Sequence, residues 1–170
     1  SFNTQWAYTN GLKANESDFY SSLKYRFTYN DASADLSYQF KTFLRIGLKY
    51  DFSNRINPTD TVGNQTAQTH KLTFTARYNR QSKSTVDASL SYASILYNDK
   101  NYPNQQLEYA MLDGLRNGNN LVWNASYSQN LTQNIQLSLV YEGRMTGFTA
   151  GEKATMKSVH TGRAEIRATF

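Results

Sequence analysis

The sequence predicts an all-β fold, an antiparallel transmembrane β-barrel with eight or nine strands in this chain, and three observations support the prediction. Apolar and polar residues alternate with period two along most of the chain. The connections between the alternating segments are short and long in turn. Aromatic residues make up 14% of the 170 residues, while there are only two prolines, a composition typical of many long strands.

Composition also excludes several other classes of protein. The chain is 39% hydrophobic and has no run of eighteen apolar residues, so a helical membrane protein is excluded. It contains no cysteine, which removes disulfide frameworks, thiol nucleophiles and cysteine-based zinc sites. An oxidising cell envelope is compatible with this composition.

Eight segments show the alternation clearly. Side chains on a strand point to opposite faces in turn, so each segment has one apolar and one polar face. In chain order the segments span 21–29, 34–40, 44–52, 72–78, 86–92, 121–127, 135–141 and 162–170. A weaker opening segment, Phe2 to Tyr8, shows the same alternation with less apolar content and predicts a ninth strand.

The connections alternate in length along the chain. The short ones are 41–42, 79–84 and 130–134, and the long ones are 53–68, 98–120 and 145–158. Outer-membrane barrels have short periplasmic turns and longer extracellular loops, so the last strand is predicted to run toward the periplasm. The link Asn30–Ser33 is short at a position where a long loop is expected.

These strand directions place aromatic residues near the strand ends and aliphatic residues in the middles. The predicted girdles are Phe19, Phe40, Phe43, Tyr78, Tyr127 and Phe170 at the periplasmic ends, and Tyr29, Tyr50, Phe52 and Tyr141 at the outer ends. Such girdles mark the two interfaces of a membrane. A soluble β-sandwich or barrel with its apolar face inward also gives alternation, but it explains neither the girdles nor the phased connection lengths.

Charged residues predict a cationic lumen. The inward face carries ten basic residues, Lys24, Arg26, Lys41, Arg45, Lys49, Lys71, Arg77, Arg144, Arg163 and Arg167, and five acidic ones, Asp35, Asp51, Asp87, Glu142 and Glu165. This excess equals the net charge of the whole chain, +5. An open lumen of this sign would favour anions. Alternatively, the basic side chains pair with lumen carboxylates or a plug and only hold the wall together.

The sequence offers little for catalysis, metal binding or nucleic-acid binding. His70 and His160 are the only histidines, and no serine or carboxylate stands at a diagnostic spacing from either. A metal site would need Asp60 or Glu152 from adjacent loops as further ligands. The basic residues are spread over every strand and the aromatic residues lie on the opposite face, which argues against nucleic-acid binding. We predict no catalytic, cofactor or metal site, with an outer-membrane hydrolase as a distant alternative.

The connection 98–120 is predicted to be a long extracellular loop that contains a short helix. Within Gln105–Leu115 apolar residues recur near helical spacing, and Gly114 is placed to end the turn. The apolar side of this helix needs cover from the lumen rim, a neighbouring loop or a partner protein.

Three stretches resemble the C-terminal end of large outer-membrane proteins of the Bacteroidota. They are Tyr109–Asn120 leading into Leu121–Trp123, then Asn134–Arg144, and then His160–Arg163. The resemblance implies that residues 1–170 are the closing section of a longer barrel, and it carries over no functional residue. A small eight-stranded barrel that starts near Phe19 and has a filled interior is the alternative.

We therefore expect a non-enzymatic barrel of the bacterial outer membrane, acting in transport as a pore or receptor, or in envelope assembly. A scaffold barrel that docks surface lipoproteins or secretion and assembly partners is the alternative. The last strand, with Phe170 at its end, is the expected signal for the barrel assembly machinery. Other expected partners are outer-membrane lipid, lipopolysaccharide and surface lipoproteins or other envelope proteins, with no cofactor.

Overall fold

The computed structural model describes residues 1–15, 25–58, 65–80, 83–98, 105–148 and 157–168, which form one antiparallel sheet with a short helix. The elements are β1 (Phe2–Asn15), β2 (Tyr25–Phe40), β3 (Leu44–Asn57), β4 (Gln65–Arg80), β5 (Ser84–Asn98), α1 (Gln105–Met111), β6 (Gly118–Asn130), β7 (Ile135–Phe148) and β8 (Lys157–Ala168). The eight strands follow one another in the sheet in chain order, with β1 and β8 at its open edges. The predicted all-β, antiparallel character is confirmed.

The register of the strands explains why the alternation is so regular. Residues paired directly across an antiparallel ladder point to the same side of the sheet. One row of such partners runs across five strands and consists of Leu36, Leu48, Phe74, Leu90 and Trp123. We call the side that carries this row the apolar face and the opposite side the polar face.

The connections divide the sheet into two different ends. Three connections have three or four residues and lie at what we call the short-turn end. The other four have seven residues or more and lie at the long-connection end. Short and long connections alternate without exception. The short connection predicted at Asn30–Ser33, which would be an exception to this alternation, does not exist, because these residues lie within β2.

The prediction of a connection at Asn30–Ser33 is wrong, since β2 runs without interruption from Tyr25 to Phe40. Residues 30–33 pair with β1 on one side and with β3 on the other. The two segments predicted on either side of this link are therefore one strand, and the opening segment extends into β1, which gives eight strands. A turn is predicted there because the apolar positions change parity, from Phe27 to Leu36.

The change of parity has its cause in α1, which packs on the polar face at the long-connection end. Its buried side chains Leu107 and Met111, with Leu112 just after it, form a core with residues of three strands. These partners are Phe27 of β2, Ala67 of β4 and Ile95 of β5. Positions that would face water elsewhere on the polar face are apolar here because the helix covers them.

Asn120 fixes the chain where it returns from α1 to the sheet. Its side chain is fully buried, at a β-bulge in the pairing of β6 with β7. Its carbonyl oxygen accepts bonds from the backbone N–H of Arg116 (3.2 Å) and Gly147 (3.3 Å). Its amide nitrogen donates to the backbone oxygens of Arg116 (2.8 Å) and Gly118 (3.1 Å). One side chain thus satisfies four backbone groups.

We predict that Asn120→Ala lowers the free energy of unfolding by about 3 kcal/mol, because buried backbone groups lose their partners. Urea denaturation followed by tryptophan fluorescence measures the change. The matched control is Asn124→Ala on the same strand and face, whose amide makes a long 3.4 Å bond to Glu142 and should change stability by less than about 1 kcal/mol. Equal losses in the two variants would contradict the role given to Asn120.

Candidate functional site

The polar face gathers most of the charged residues of the sheet. Seven of the ten basic residues predicted for the inward face lie on it: Arg45, Lys49, Lys71, Arg77, Arg144, Arg163 and Arg167. The register adds Lys13, Arg55 and Asp31, which the sequence had not placed there. The five acidic residues predicted for this face also lie on it.

Three of the predicted basic residues do not join this face in the described structure. Arg26 lies on the apolar face, because β2 keeps one register from Tyr25 to Phe40 and Arg26 shares parity with Leu36. Its prediction as a charge of the polar face is wrong for the same reason as the predicted turn. Lys41 lies in the turn between β2 and β3, with a positive φ of 50°. Lys24 falls outside the described residues.

Some of the charges on the polar face are paired with one another. The pairs within the sheet are Lys49–Asp51 at 2.7 Å, Arg77–Asp87 at 3.3 Å and Arg167–Glu165 at 3.5 Å. In the described part of the chain, Lys71, Arg144 and Arg163 have no carboxylate within salt-bridge distance. The face therefore combines paired charges with basic side chains whose positive charge is not neutralised by a neighbouring carboxylate.

Arg55 is the residue through which the polar face holds α1. Its guanidinium donates to the backbone oxygens of Ala110 (3.1 Å) and Met111 (2.7 Å), the last residues of the helix. It also forms an ion pair with Asp113 at 2.6 Å. A cation that binds the last carbonyls of a helix satisfies groups that have no partner within the helix and complements the helix dipole.

The guanidinium of Arg55 is held in place from the strand side as well. Its Nε donates to the Ser53 hydroxyl (3.1 Å), which donates in turn to the Asp31 carboxylate (2.5 Å). The guanidinium carbon lies 5.9 Å from the centre of the Phe27 ring, within range of a cation–π contact. The side chain is 12% exposed, so these bonds form in a largely dry environment, where they are stronger than in water.

A groove runs along the polar face past the end of α1. Three clefts of about 490, 240 and 380 Å³ follow one another along β1, β2 and β3. The first two share Ala7 and Ser33, and the last two share Thr9, Asp31 and Arg55. Because neighbouring clefts share these residues, they lie side by side, and we call them together the β1–β3 groove.

The apolar face differs from the polar face in having no protein layer over it in the described structure. Its large side chains are exposed, among them Trp6 (86%), Leu48 (42%) and Phe74 (44%). In the described strands the only charged residues on this face are Arg26 and Arg80, which lie at opposite ends of the sheet. The uncharged region between them is continuous from β1 to β8.

A row of tyrosines borders this apolar region toward the long-connection end. Tyr8, Tyr50, Tyr92 and Tyr141 lie on β1, β3, β5 and β7, and the hydroxyl of each is hydrogen-bonded to the next strand. The partners are Asn30, His70, Asn119 and His160, at 2.6 to 3.1 Å. Each partner lies on the diagonal, two residues nearer the long-connection end than the residue paired directly with the tyrosine.

Aromatic rings border the apolar region at the short-turn end. Phe43 packs edge-on against Phe40 and Tyr78, with ring centres 5.7 and 5.8 Å apart, and Phe2 packs against Tyr38 at 4.7 Å. The predicted outer girdle is wrong at Tyr29, which lies on the polar face and covers Gly11. Phe19 and Phe170 lie outside the described residues.

The two histidines lie among aromatic residues on the apolar face. His70 contacts Tyr50 and Phe52, and His160 contacts Trp123 and Tyr141. The described residues contain no group of three or more metal-binding side chains, and Asp60 and Glu152 lie outside them. Within the same ranges, no helix has the length and apolar character needed to cross a membrane.

Sequence reasoning missed Arg55 because it placed this residue in a loop that begins at Ser53, whereas β3 continues to Asn57. A signal for the helix-docking site was present in the sequence, because near the long connections some apolar residues occupy the alternate positions that are polar elsewhere on the same strand. Phe27 and Ile95 both fall on the polar side of their strands, so a covering element is needed there. Asp113 at the end of the predicted helix then indicates a basic partner on the covered strands.

The chain was also compared with known proteins. No protein-family model matches it, and no curated protein matches it.

We predict that the ion pair Arg77–Asp87 couples by less than about 1 kcal/mol, because exposed pairs are well solvated and these side chains are 64% and 43% exposed. A double-mutant cycle with Arg77→Ala and Asp87→Ala, followed by urea denaturation, measures the coupling. A coupling of about 2 kcal/mol or more would instead assign this pair a structural role in the wall.

Proposed function

We propose that the chain is a section of an integral outer-membrane β-barrel whose polar face lines a water-filled lumen and passes small anionic solutes. The observation that supports this most is the side on which α1 packs. In a soluble sheet protein, the second layer covers the apolar face. Here the helix covers the polar face, and the apolar face has no cover among the described residues.

The dimensions of the sheet are those expected for a bilayer. A membrane-spanning strand needs roughly 9–11 residues, and the strands of this sheet have 12 to 16. On β3 the apolar positions run from Leu44 to Phe52, a distance of about 27 Å along the strand, which corresponds to a height of about 21 Å at a strand tilt of about 40°. An apolar band about 25 Å tall is typical of outer-membrane barrels.

The borders of the apolar region also support a membrane position. The tyrosine row at one end and the ring cluster of Phe40, Phe43 and Tyr78 at the other match the aromatic girdles of membrane barrels. Tyrosine suits such a border because its ring is apolar while its hydroxyl needs a polar partner. In this orientation the short turns are periplasmic and α1 belongs to an extracellular loop folded into the lumen.

The open edges of the sheet support the view that further strands complete the barrel. Both β1 and β8 present unpaired backbone groups along one side, and a membrane barrel must close because lipid cannot satisfy those groups. We therefore place the eight strands in a larger barrel, as the resemblance to Bacteroidota outer-membrane proteins implies. Insertion would depend on the barrel assembly machinery, and surface lipoproteins are candidate partners of the long connections.

The charge of the polar face carries the proposal of anion preference. Its described strands hold nine basic residues, not counting Lys157, against six acidic ones. Lys71, Arg144 and Arg163 have no salt-bridge partner within the described ranges. A wall with an excess of one sign concentrates the opposite ion.

We predict that the apolar face contacts lipid. The two tryptophans of the chain, Trp6 and Trp123, both lie on that face. In liposomes of brominated phospholipid, tryptophan emission should fall by about half or more, because the side chains lie at the depth of the acyl chains. Iodide in the buffer should quench little. Strong quenching of the tryptophan emission by iodide, without quenching by the brominated lipid, would contradict the proposed membrane position.

We predict anion-selective conductance in planar bilayers for the full-length barrel that contains this chain. The double substitution Lys71→Gln/Arg144→Gln should lower the anion-to-cation permeability ratio by about twofold or more, because it removes two unpaired positive charges from the wall. Arg26→Gln, on the apolar face, is the matched control and should leave the ratio unchanged. Cation selectivity contradicts the proposed solute class. An absence of conductance steps favours a scaffold barrel or a plugged receptor.

A further inference from the structure

The segment containing α1 cannot hold its position without the sheet. A helix of seven residues has too few internal hydrogen bonds to be stable alone. Leu107, Met111 and Leu112 are at most 3% exposed, and they are buried against Phe27 and Ile95 of the sheet. Docking on the polar face is therefore what makes the helix form.

The helix ends in a turn that directs an acidic side chain toward Arg55. Asp113 and Gly114 have positive φ angles of 52° and 75°, and the N–H of Gly114 donates to the Tyr109 oxygen at 3.0 Å. This is the usual left-handed end of a helix. In this conformation the Asp113 carboxylate reaches the Arg55 guanidinium while the last helix carbonyls bind the same group.

These contacts are concentrated on one end of α1. Three of the bonds that join the helix end to β3 depend on one guanidinium. Beyond the helix, Asn120 anchors the chain to β6 and β7 independently of Arg55. Loss of the guanidinium would therefore weaken the docking of α1, which the apolar contacts would then hold alone, while leaving its connection to β6 in place. The β1–β3 groove, which Arg55 and Asp113 border, would then widen.

We propose that Arg55 is the latch of a movable gate formed by residues 105–115, and that release of this gate widens the solute path along the β1–β3 groove. The widening of the solute path rests on the proposed transport function. The docking of α1 by Arg55 does not, because it is a property of the folded chain. Opening is favoured by anything that competes for the guanidinium, since carboxylates and phosphates bind arginine in the same geometry. A solute with such a group is therefore both cargo and opener.

The first test measures docking of α1 without any transport. The chain has no cysteine, so Ala110→Cys places one thiol on the half-buried side of the helix. In the folded chain, the rate of maleimide labelling reports how often α1 leaves the sheet. Arg55→Met, which keeps the length of the side chain, should raise that rate by about tenfold or more. Asp113→Asn, a milder change at a side chain 63% exposed, should raise it less.

Arg45→Met is the matched control for the labelling experiment. Arg45 lies on the same strand and face as Arg55, and its described bond goes to Ser37 at 3.2 Å. The labelling rate should not change in this variant. Unchanged labelling in both Arg55→Met and Asp113→Asn overturns the latch, whatever the conductance of the protein. Asp113→Asn carries the test if Arg55→Met does not fold.

The second test adds the conductance, in planar bilayers, of the full-length barrel that contains this chain. Arg55→Met should raise the single-channel conductance about twofold or more, since the groove widens where anions pass, and Arg45→Met should not. Faster labelling without any conductance, in the unchanged chain and in every variant, overturns the proposed pore while the latch stands. Faster labelling in a conducting protein whose conductance stays the same overturns the gate.

Addition of millimolar phosphate should speed maleimide labelling of the unchanged chain. If phosphate does not raise the labelling rate, the role of the solute as opener is overturned.

Discussion

Every strand of the sheet is paired along its described length with the strand before or after it, and this pairing decides which face each side chain occupies. A shift of one residue would move a whole strand's apolar set to the other face. The uncharged region of the apolar face between Arg26 and Arg80 depends on this constraint, because one slipped strand would bring its lysines and arginines among the exposed leucines. The charge of the polar face depends on it equally. Both surfaces on which the proposed function relies are therefore consequences of a single register.

The register also shows how the helix is accommodated. Where α1 lies over the polar face, Phe27, Ala67 and Ile95 replace the polar residues found elsewhere on that side. Arg55 is the exception in this apolar area, and it is tolerated because its donors are directed to carbonyls and carboxylates. The apolar contacts hold the helix against the sheet, while the arginine decides where it stops. Apolar contacts thus hold the body of the helix, and the hydrogen bonds and ion pair of Arg55 hold its end.

Much of the fold could be predicted from the sequence because the physical signal is local. Alternation predicted the strands, and apolar spacing with Gly114 predicted the helix that the structure has at Gln105–Met111. What failed depended on a distant element. The inversion at Phe27 was interpreted as a turn because the covering helix lies far along the chain, and the same error put Arg26 on the wrong face. Arg55 escaped notice because its role exists only when Asp113 is brought beside it.

The tyrosine row has a consequence for how such a sheet can change in evolution. Each tyrosine and its asparagine or histidine partner belong to one pair of strands joined by a long connection, and the same diagonal recurs in all four pairs. A pair of strands therefore carries its own copy of this contact. Duplication or loss of a whole pair leaves the contacts of the other pairs intact, whereas gain of a single strand would break the series. The pair of strands joined by a long connection is thus the repeating unit of this sheet, and sheets of different width can be built from it with the same tyrosine contact in each unit.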